Sequence, residues 1–295
     1  MKPAYLFLAV LVLLMHYITV WAAGQEGFEN GKTDTLTDPY DEFYAGIYDT
    51  LWHSSDECNQ FTRVSLQDIS LADQPIASVK LLDMACGTSP HACWLKNLGI
   101  EVVGADSSEA MITKAHNNCP SADFKVADVM KAATFAPKSF SHITLLGFAI
   151  YELSSAKMAA DNAYLWTQPG GYFVVHLVEP EKFDPLLNLA SPFAAFSLQK
   201  YSLERKVDSE IYFDTFKYRG TFNQKKNHDD AEFQEIFTFY DPGKGAKYRE
   251  QTHKWNMPSM DEMIETIQSA GWRHKESVHM VSCGKEYQYL AYFQR

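Results

Sequence analysis

Positive charge is scarce in this chain. Its 26 Lys and Arg stand against 37 Asp and Glu, for a formal net charge of −11. Phosphate backbones are held by clustered Lys and Arg, so this balance excludes a nucleic-acid partner. Cysteine is sparse as well: Cys58, Cys86, Cys93, Cys119 and Cys283 lack zinc-type spacing and are odd in number. Cys86 and Cys93 read as small buried thiols in preference to redox or nucleophilic groups. His91, His116, His142, His253 and His279 show no ligand spacing, and no metal site is expected. The chain has no Asn-x-Ser/Thr site, no internal repeat and no low-complexity tract.

Apolar mass is plentiful. With 46% hydrophobic and 14% aromatic residues, 295 residues suffice for a large core in one α/β domain with insertions. From Pro3 to Val20 the sequence is nearly unbroken apolar, interrupted by His16 and Thr19. That length lies between a signal-peptide core and a short spanning helix. Lys2 precedes the run, and Glu26, Glu29, Asp34, Asp38 and Asp41 follow it, a polarity that leaves the start in the cytoplasm and sends the body outward or into a lumen. Val20-Trp21-Ala22 offers small residues to a signal peptidase, and an uncleaved anchor is the alternative. Residues 1–24 are therefore read as a signal peptide or membrane anchor, 25–39 as a polar linker and 40–295 as the globular domain.

The densest chemical signal is Val79-Lys80-Leu81-Leu82-Asp83-Met84-Ala85-Cys86-Gly87-Thr88, followed by Glu101-Val102-Val103-Gly104-Ala105-Asp106. An apolar strand runs into a small-residue turn and a helix, and a second strand ends in a carboxylate 19 residues after Gly87. An acid about 20 residues on is where ribose hydroxyls are met. Dinucleotide sites need several glycines to admit a pyrophosphate, and this turn has only Gly87, with Ala85 and Ser89 around it and Pro90 behind. A nicotinamide oxidoreductase is thus the weaker alternative. The turn suits a cofactor with an amino-acid end and no phosphate, whose ammonium Asp83 can meet.

These residues resemble the front half of a class I S-adenosylmethionine-dependent methyltransferase, whose loop often reads D-x-A-C-G-T-G. Further likenesses follow in order: Asp106-Ser107-Ser108-Glu109-Ala110-Met111 is similar to the second acidic loop, Ala127-Asp128-Val129 to the strand end that contacts adenine, and Pro169-Gly170-Gly171-Tyr172 to the turn into the fifth strand. Ser89 departs from the pattern by replacing the last loop glycine. The resemblance implies S-adenosyl-L-methionine as cofactor, held by Asp83, Ala85, Cys86, Gly87, Asp106, Ser107, Met111, Asp128, Val129, Leu146 and Phe148. It also implies a doubly wound, mostly parallel seven-stranded Rossmann-like sheet with an antiparallel last strand.

Strands are expected at Val79–Asp83, Val102–Asp106, Asp123–Ala127, His142–Leu146 and Tyr172–Leu177, with helices opening at Ser89-Pro90 and near Ser108. Residues about 185–257 alternate polar and apolar, as in Ile211–Tyr218 and Phe233–Tyr240, and read as an inserted antiparallel β lid. Ser259-Met260-Asp261-Glu262 is a capping box, Gly271 ends its helix, and a hairpin around Cys283-Gly284 finishes the chain.

Methyl transfer from a sulfonium asks the protein mainly to align the acceptor and exclude water. Tyr48 stands in an aromatic helix, Tyr40–Trp52, like the one that many small-molecule methyltransferases place over the cofactor. Glu152 follows the fourth strand, where the amino-sugar N-methyltransferases carry a histidine; it favours an amine or cationic acceptor, with capping of the next helix its equal rival role. His176 in the fifth strand completes the catalytic candidates, with core packing its rival role. The expected function is methyl transfer to nitrogen or oxygen of a small-molecule acceptor, in the layout of the glycine and amino-sugar enzymes. A non-catalytic, membrane-tethered binding protein on the same fold is a further alternative.

The polar stretch after the apolar run should isolate it from the core. A chain beginning at Gly24 should therefore remain soluble and bind S-adenosylmethionine, while the full chain partitions with membranes. Aggregation or lost cofactor binding in the shortened chain would make the segment part of the domain.

Overall fold

The structure, a computed structural model, describes residues 33–35, 39–52, 54–72, 74–190, 199, 204–224, 228–241 and 245–295. The segment 1–24 lies outside them. Among the described residues no helix is long and apolar enough to cross a membrane.

Seven strands form the central sheet: β2 (Lys80–Met84), β3 (Glu101–Asp106), β4 (Asp123–Val126), β5 (Phe140–Leu145), β6 (Thr167–Val178), β11 (Arg273–His279) and β12 (Gln288–Gln294). Their order is β11-β12-β6-β5-β2-β3-β4. The five from β6 to β4 are parallel, and β12 runs antiparallel to both β6 and β11. Leu81, Leu82 and Met84 of β2 and every residue of β5 are buried, as continuous apolar strands covered on both faces must be. At the edge, β4 is short and carries exposed Asp123 and Lys125, which discourages further pairing.

Strand order reverses between β2 and β5, and ligands of open α/β sheets bind at such a point beyond the strand carboxyl ends. Helices α1 (Glu42–Leu51), α2 (Asp56–Ser65), α3 (Ala92–Asn97), α4 (Glu109–Asn118), α5 (Ala149–Glu152), α6 (Ala156–Trp166) and α7 (Met260–Gln268) accompany the sheet. Asp41 caps α1, Ser108 caps α4, and the capping box of Ser259 and Glu262 opens α7. The turn after β2 departs from expectation. Its helix starts only at Ala92 with no side-chain cap, because the Ser89 hydroxyl is committed to Asp83.

The second sheet is built from β1 (Thr33–Thr35), β7 (Asp208–Tyr212), β8 (Phe216–Gln224), β9 (Asp230–Asp241) and β10 (Gly245–Asn256), in the order β1-β10-β9-β8-β7. The run Ile211–Tyr218 is two strands, not one, with its turn at residues 213–215. Thr33–Thr35, inside the stretch read as linker, forms β1 and pairs parallel with β10. Alternation puts Ala231, Phe233, Glu235 and Phe237 of β9 on the buried face, together with Gln251, His253 and Trp255 of β10. This face packs on α1 and α5: Trp255 stacks on Phe148 at 5.1 Å, and Phe43 meets Phe216, Phe237 and Phe239 edge-on. At the rim Arg249 holds both oxygens of Asp41, at 2.8 and 3.0 Å.

Cys58 and Cys283 form one disulfide and Cys93 and Cys119 another, with Cα separations of 5.0 and 5.3 Å. Cys93 is therefore not the buried thiol expected from sequence. It faces Cys119, the residue after α4, across a pairing of neighbouring elements that a linear reading does not reveal. Cys86 alone of the five is free, and it is buried.

Thiol titration in guanidinium without reductant should find one reactive thiol per chain, and five would overturn the pairing. Replacing Cys93 and Cys119 together by Ser should lower unfolding stability by about 2–4 kcal/mol, the usual contribution of a loop-closing disulfide.

Candidate active site

The turn after β2 is shaped by three left-handed residues in alternation: Ala85 at φ 50°, Gly87 at φ 50° and Ser89 at φ 47°. Side-chain-bearing residues adopt this backbone at a cost, so neighbours must enforce it. Ser89 Oγ donates to Asp83 Oδ2 at 2.6 Å, Thr144 Oγ1 donates to Asp83 Oδ1 at 2.8 Å, and Thr88 Oγ1 donates to Asp49 of α1 at 2.5 Å. Asp83 is 8% exposed. Burial, only partly offset by the two hydroxyls and augmented by nearby Asp106, pushes its carboxyl up to about 6. The residue expected to meet the cofactor's ammonium thus faces inward and braces the turn.

Asp106, at the end of β3, is half-buried. Its Oδ2 accepts from the Gly87 amide at 2.8 Å and its Oδ1 from the Ser108 amide at 2.9 Å. Burial raises its pKa against the pull of these amides. Each oxygen keeps a further lone pair for a ligand hydroxyl. Ser107 is exposed beside it, and Met111 is buried beneath. After β4, the Asp128 carboxylate accepts from the Met130 amide at 2.9 Å, and Val129 is buried. Leu146 and Phe148 flank Gly147, whose φ is +65° and beside which a Cβ would meet nothing within 4 Å. Turn, acid, second acid and open loop thus surround the switch point. They fit S-adenosylmethionine in kind: one glycine, no phosphate cradle, and a carboxylate at the end of β3 with acceptor capacity to spare.

Above the turn, Tyr48 Cε1 lies 3.9 Å from where a Cβ on Gly87 would stand. Burial, then the charges of Glu152, Asp106, Glu235 and Asp49, push the Tyr48 pKa up, so the phenol stays protonated. Glu152 ends α5 with its side chain 30% exposed. Its Oε2 accepts from Tyr40 at 2.7 Å, and its Oε1 lies 3.1 Å from His253 Nδ1. Behind it, Glu235 Oε2 lies 2.8 Å from His253 Nε2 and accepts from Gln251 Nε2 at 2.6 Å. Glu235 Oε1 accepts from Tyr44 at 3.0 Å and Tyr218 at 2.8 Å. Trp52 Nε1 donates to the Tyr44 hydroxyl at 2.9 Å.

His176 stands apart from this group. Its Nδ1 bonds the Gly147 carbonyl at 2.8 Å and its Nε2 meets Gln288 Oε1 at 3.1 Å. Burial and the Lys285 charge push its pKa down to about 3, so the ring is neutral, donating from Nδ1 to the Gly147 carbonyl while Nε2 accepts from the Gln288 side chain with its amide turned to present the NH2 group. Tyr48, Glu152, Gly87 and Asp106 are brought together, while His176 belongs to the packing under Phe148. Sequence reasoning passed over His253 and Glu235. Their signal was a charged or titratable residue in register with the apolar, inward positions of an alternating strand, as Glu235 is with Phe233 and Phe237. Among the described residues no three His, Cys, Asp or Glu side chains gather as a metal site.

A family model for a methyltransferase domain matches residues 81–171. A demethylmenaquinone methyltransferase of Beutenbergia cavernae is 27% identical over 145 residues, which are 47% of this chain and 58% of that protein. The chain thus spans little more than half the length of that relative. Among solved structures, the sugar N-methyltransferase KedS8 of a Streptoalloteichus species superposes with a TM-score of 0.59 at 17% identity, over 91% of this chain and 97% of the other. The amino pentose methyltransferase CalS10 of Micromonospora echinaspora, solved with S-adenosylmethionine bound, gives 0.58 at 16% identity, over 88% and 99%. These two likenesses speak to the fold. Domain match, strand order and the turn from Asp83 to Ser89 together make residues 81–171 a methyltransferase domain of the class I, S-adenosylmethionine-dependent type.

Proposed function

We propose that the chain transfers a methyl group from S-adenosylmethionine to a nitrogen of a small amine. The observation that carries this reading is Glu152. It is a partly exposed carboxylate at the carboxyl edge of the sheet, backed by Tyr40 and near enough for its charge to act on Tyr48, which lies over the turn. When bound, the cofactor supplies a methyl on a positively charged sulfur, already activated for displacement.

The chain's own residues then have simple tasks. Asp106 receives the ribose hydroxyls on its free lone pairs, and the turn at Ala85–Gly87 admits the amino-acid end. Glu152 attracts an ammonium by charge and holds the proton that the nitrogen gives up before it can act as a nucleophile. Tyr48 keeps its proton and offers a neutral hydroxyl beside the methyl path. Phe148, Trp52 and Trp255 wall the space with rings and exclude water. The sugar and amino pentose methyltransferases among the structural neighbours support a nitrogen target.

The two disulfides support placing the domain in an oxidising compartment, beyond a membrane that the apolar segment 1–24 engages.

Replacing Asp106 by Ala should weaken S-adenosylhomocysteine binding by about 1.5–3 kcal/mol, the cost of lost hydrogen bonds to a charged group. Calorimetry showing unchanged affinity would remove Asp106 from the cofactor site. With isotopically labelled methyl donor and a panel of primary amines and alcohols, label should pass to amines. Glu152→Gln and Tyr48→Phe should lower kcat while leaving cofactor affinity within about twofold. Equal losses of binding and rate would make both residues structural, and label on alcohols alone would overturn the nitrogen reading.

A further inference from the structure

Two buried titratable groups have no task in the reaction as described. Glu235 is 0% exposed and His253 is 3% exposed, both on the inner face of the lid sheet. A carboxylate taken out of water is costly unless its lone pairs are filled. Those of Glu235 are filled by Tyr44, Tyr218, Gln251 and His253. His253 in turn stands between two carboxylates, with one nitrogen on each.

Both ring nitrogens face acceptor oxygens, so both carry a proton and the ring is an imidazolium. Burial opposes that charge, but the hydrogen bonds and charges of Glu152 and Glu235 prevail and lift its pKa to about 10. The groups facing the ring are Glu152 from α5, Glu235 from β9, and Tyr40 and Tyr44 from the start of α1 and its first turn. At neutral pH His253 is therefore a fixed donor and not a base. It cancels the charge of Glu235 and leaves the charge of Glu152 directed at the acceptor space.

Glu152 needs such a partner. It is the last residue of a four-residue helix that has no side-chain cap, so little in its own element fixes its rotamer. One oxygen is held by Tyr40 and the other by His253.

We propose that His253, gripped by Glu235, is a positioning residue that aims Glu152 at the acceptor nitrogen, so that seating of the lid and readiness of the acceptor site are a single event. This rests on the reading of Glu152 as the acceptor-side group. The ring's contribution to lid seating is complete below its unfolded value near 6.5 and is lost as pH rises through about 10.

The test uses the full chain. By nuclear magnetic resonance of histidine-labelled protein, the His253 signal, assigned by its loss in His253→Gln, should titrate near pH 10. In Glu152→Gln and in Glu235→Gln it should titrate at a lower pH, with a proton affinity reduced at least about tenfold. In labelled-methyl assays with the best amine of the panel, His253→Gln should cost about tenfold or more in kcat/KM, with S-adenosylhomocysteine affinity held within about twofold. In a Glu152→Gln background the same substitution should cost less than about twofold. Glu235→Gln gives a second route to the same loss if His253→Gln no longer binds S-adenosylhomocysteine. A His253 titration unmoved by Glu152→Gln, or losses that multiply in the double variant, would overturn the proposal. If the chain binds S-adenosylhomocysteine but labels no amine, the amine reading fails by itself, and the resonance arm still decides whether His253 holds Glu152.

Discussion

The hydrogen bond from Ser89 to the buried carboxylate of Asp83 is the contact on which the turn after β2 depends. It closes a seven-residue loop, Asp83 to Ser89, in which two residues with side chains, Ala85 and Ser89, sit in the left-handed region around Gly87. Glycine reaches that backbone freely, whereas serine must be held there. Asp83 is in turn held by Thr144 of the neighbouring strand, so the turn is fastened to the sheet and not to its own helix. Once the turn is set, the Gly87 amide reaches Asp106, and the carboxylate at the end of β3 is aimed.

On the proposed acceptor side the same logic is carried by charge. Glu152, His253 and Glu235 form a row of alternating sign that runs from the edge of the central sheet into the lid. The row crosses between the lid and the helices that lie over the central sheet, whose other contacts are mostly aromatic, such as Trp255 on Phe148 and Trp52 on Phe233. Rings supply area and exclude water, yet they slide easily against one another. Directional bonds inside the stack fix the register, at the expense of a buried charge that has to stay matched.

Much of the scaffold was legible in the sequence because it follows from burial. Leu81, Leu82, Val102 and Val103 read as covered strands, and Ser259 with Glu262 reads as a helix start, since each depends only on local pattern. The turn chemistry was legible in kind but not in direction. Asp83 and Ser89 both stood out, yet nothing in a linear string says that they bond to each other and not to a ligand or a helix end. Pairings across long separations were hidden for a similar reason. Cys93 with Cys119, and Glu235 with His253, become partners only when elements fold together. The alternation in β9 and β10 marks which face they share without saying what lies opposite. Thr33–Thr35 was lost among polar neighbours, because an edge strand can be short and need not be apolar.

The Cys58–Cys283 bond joins α2 to the turn that precedes β12, across a sequence separation of 225. Covalently, the chain between these two residues is a ring. A protease cut in any surface connection of that ring, including those between the lid strands, opens it without releasing a fragment. The last strand, β12, enters the sheet between β6 and β11 just beyond the closure, so a nicked molecule keeps its halves tethered at the place where the sheet is completed. Cleavage there is a change of topology and not a loss of mass until the sulfur bridge itself is reduced.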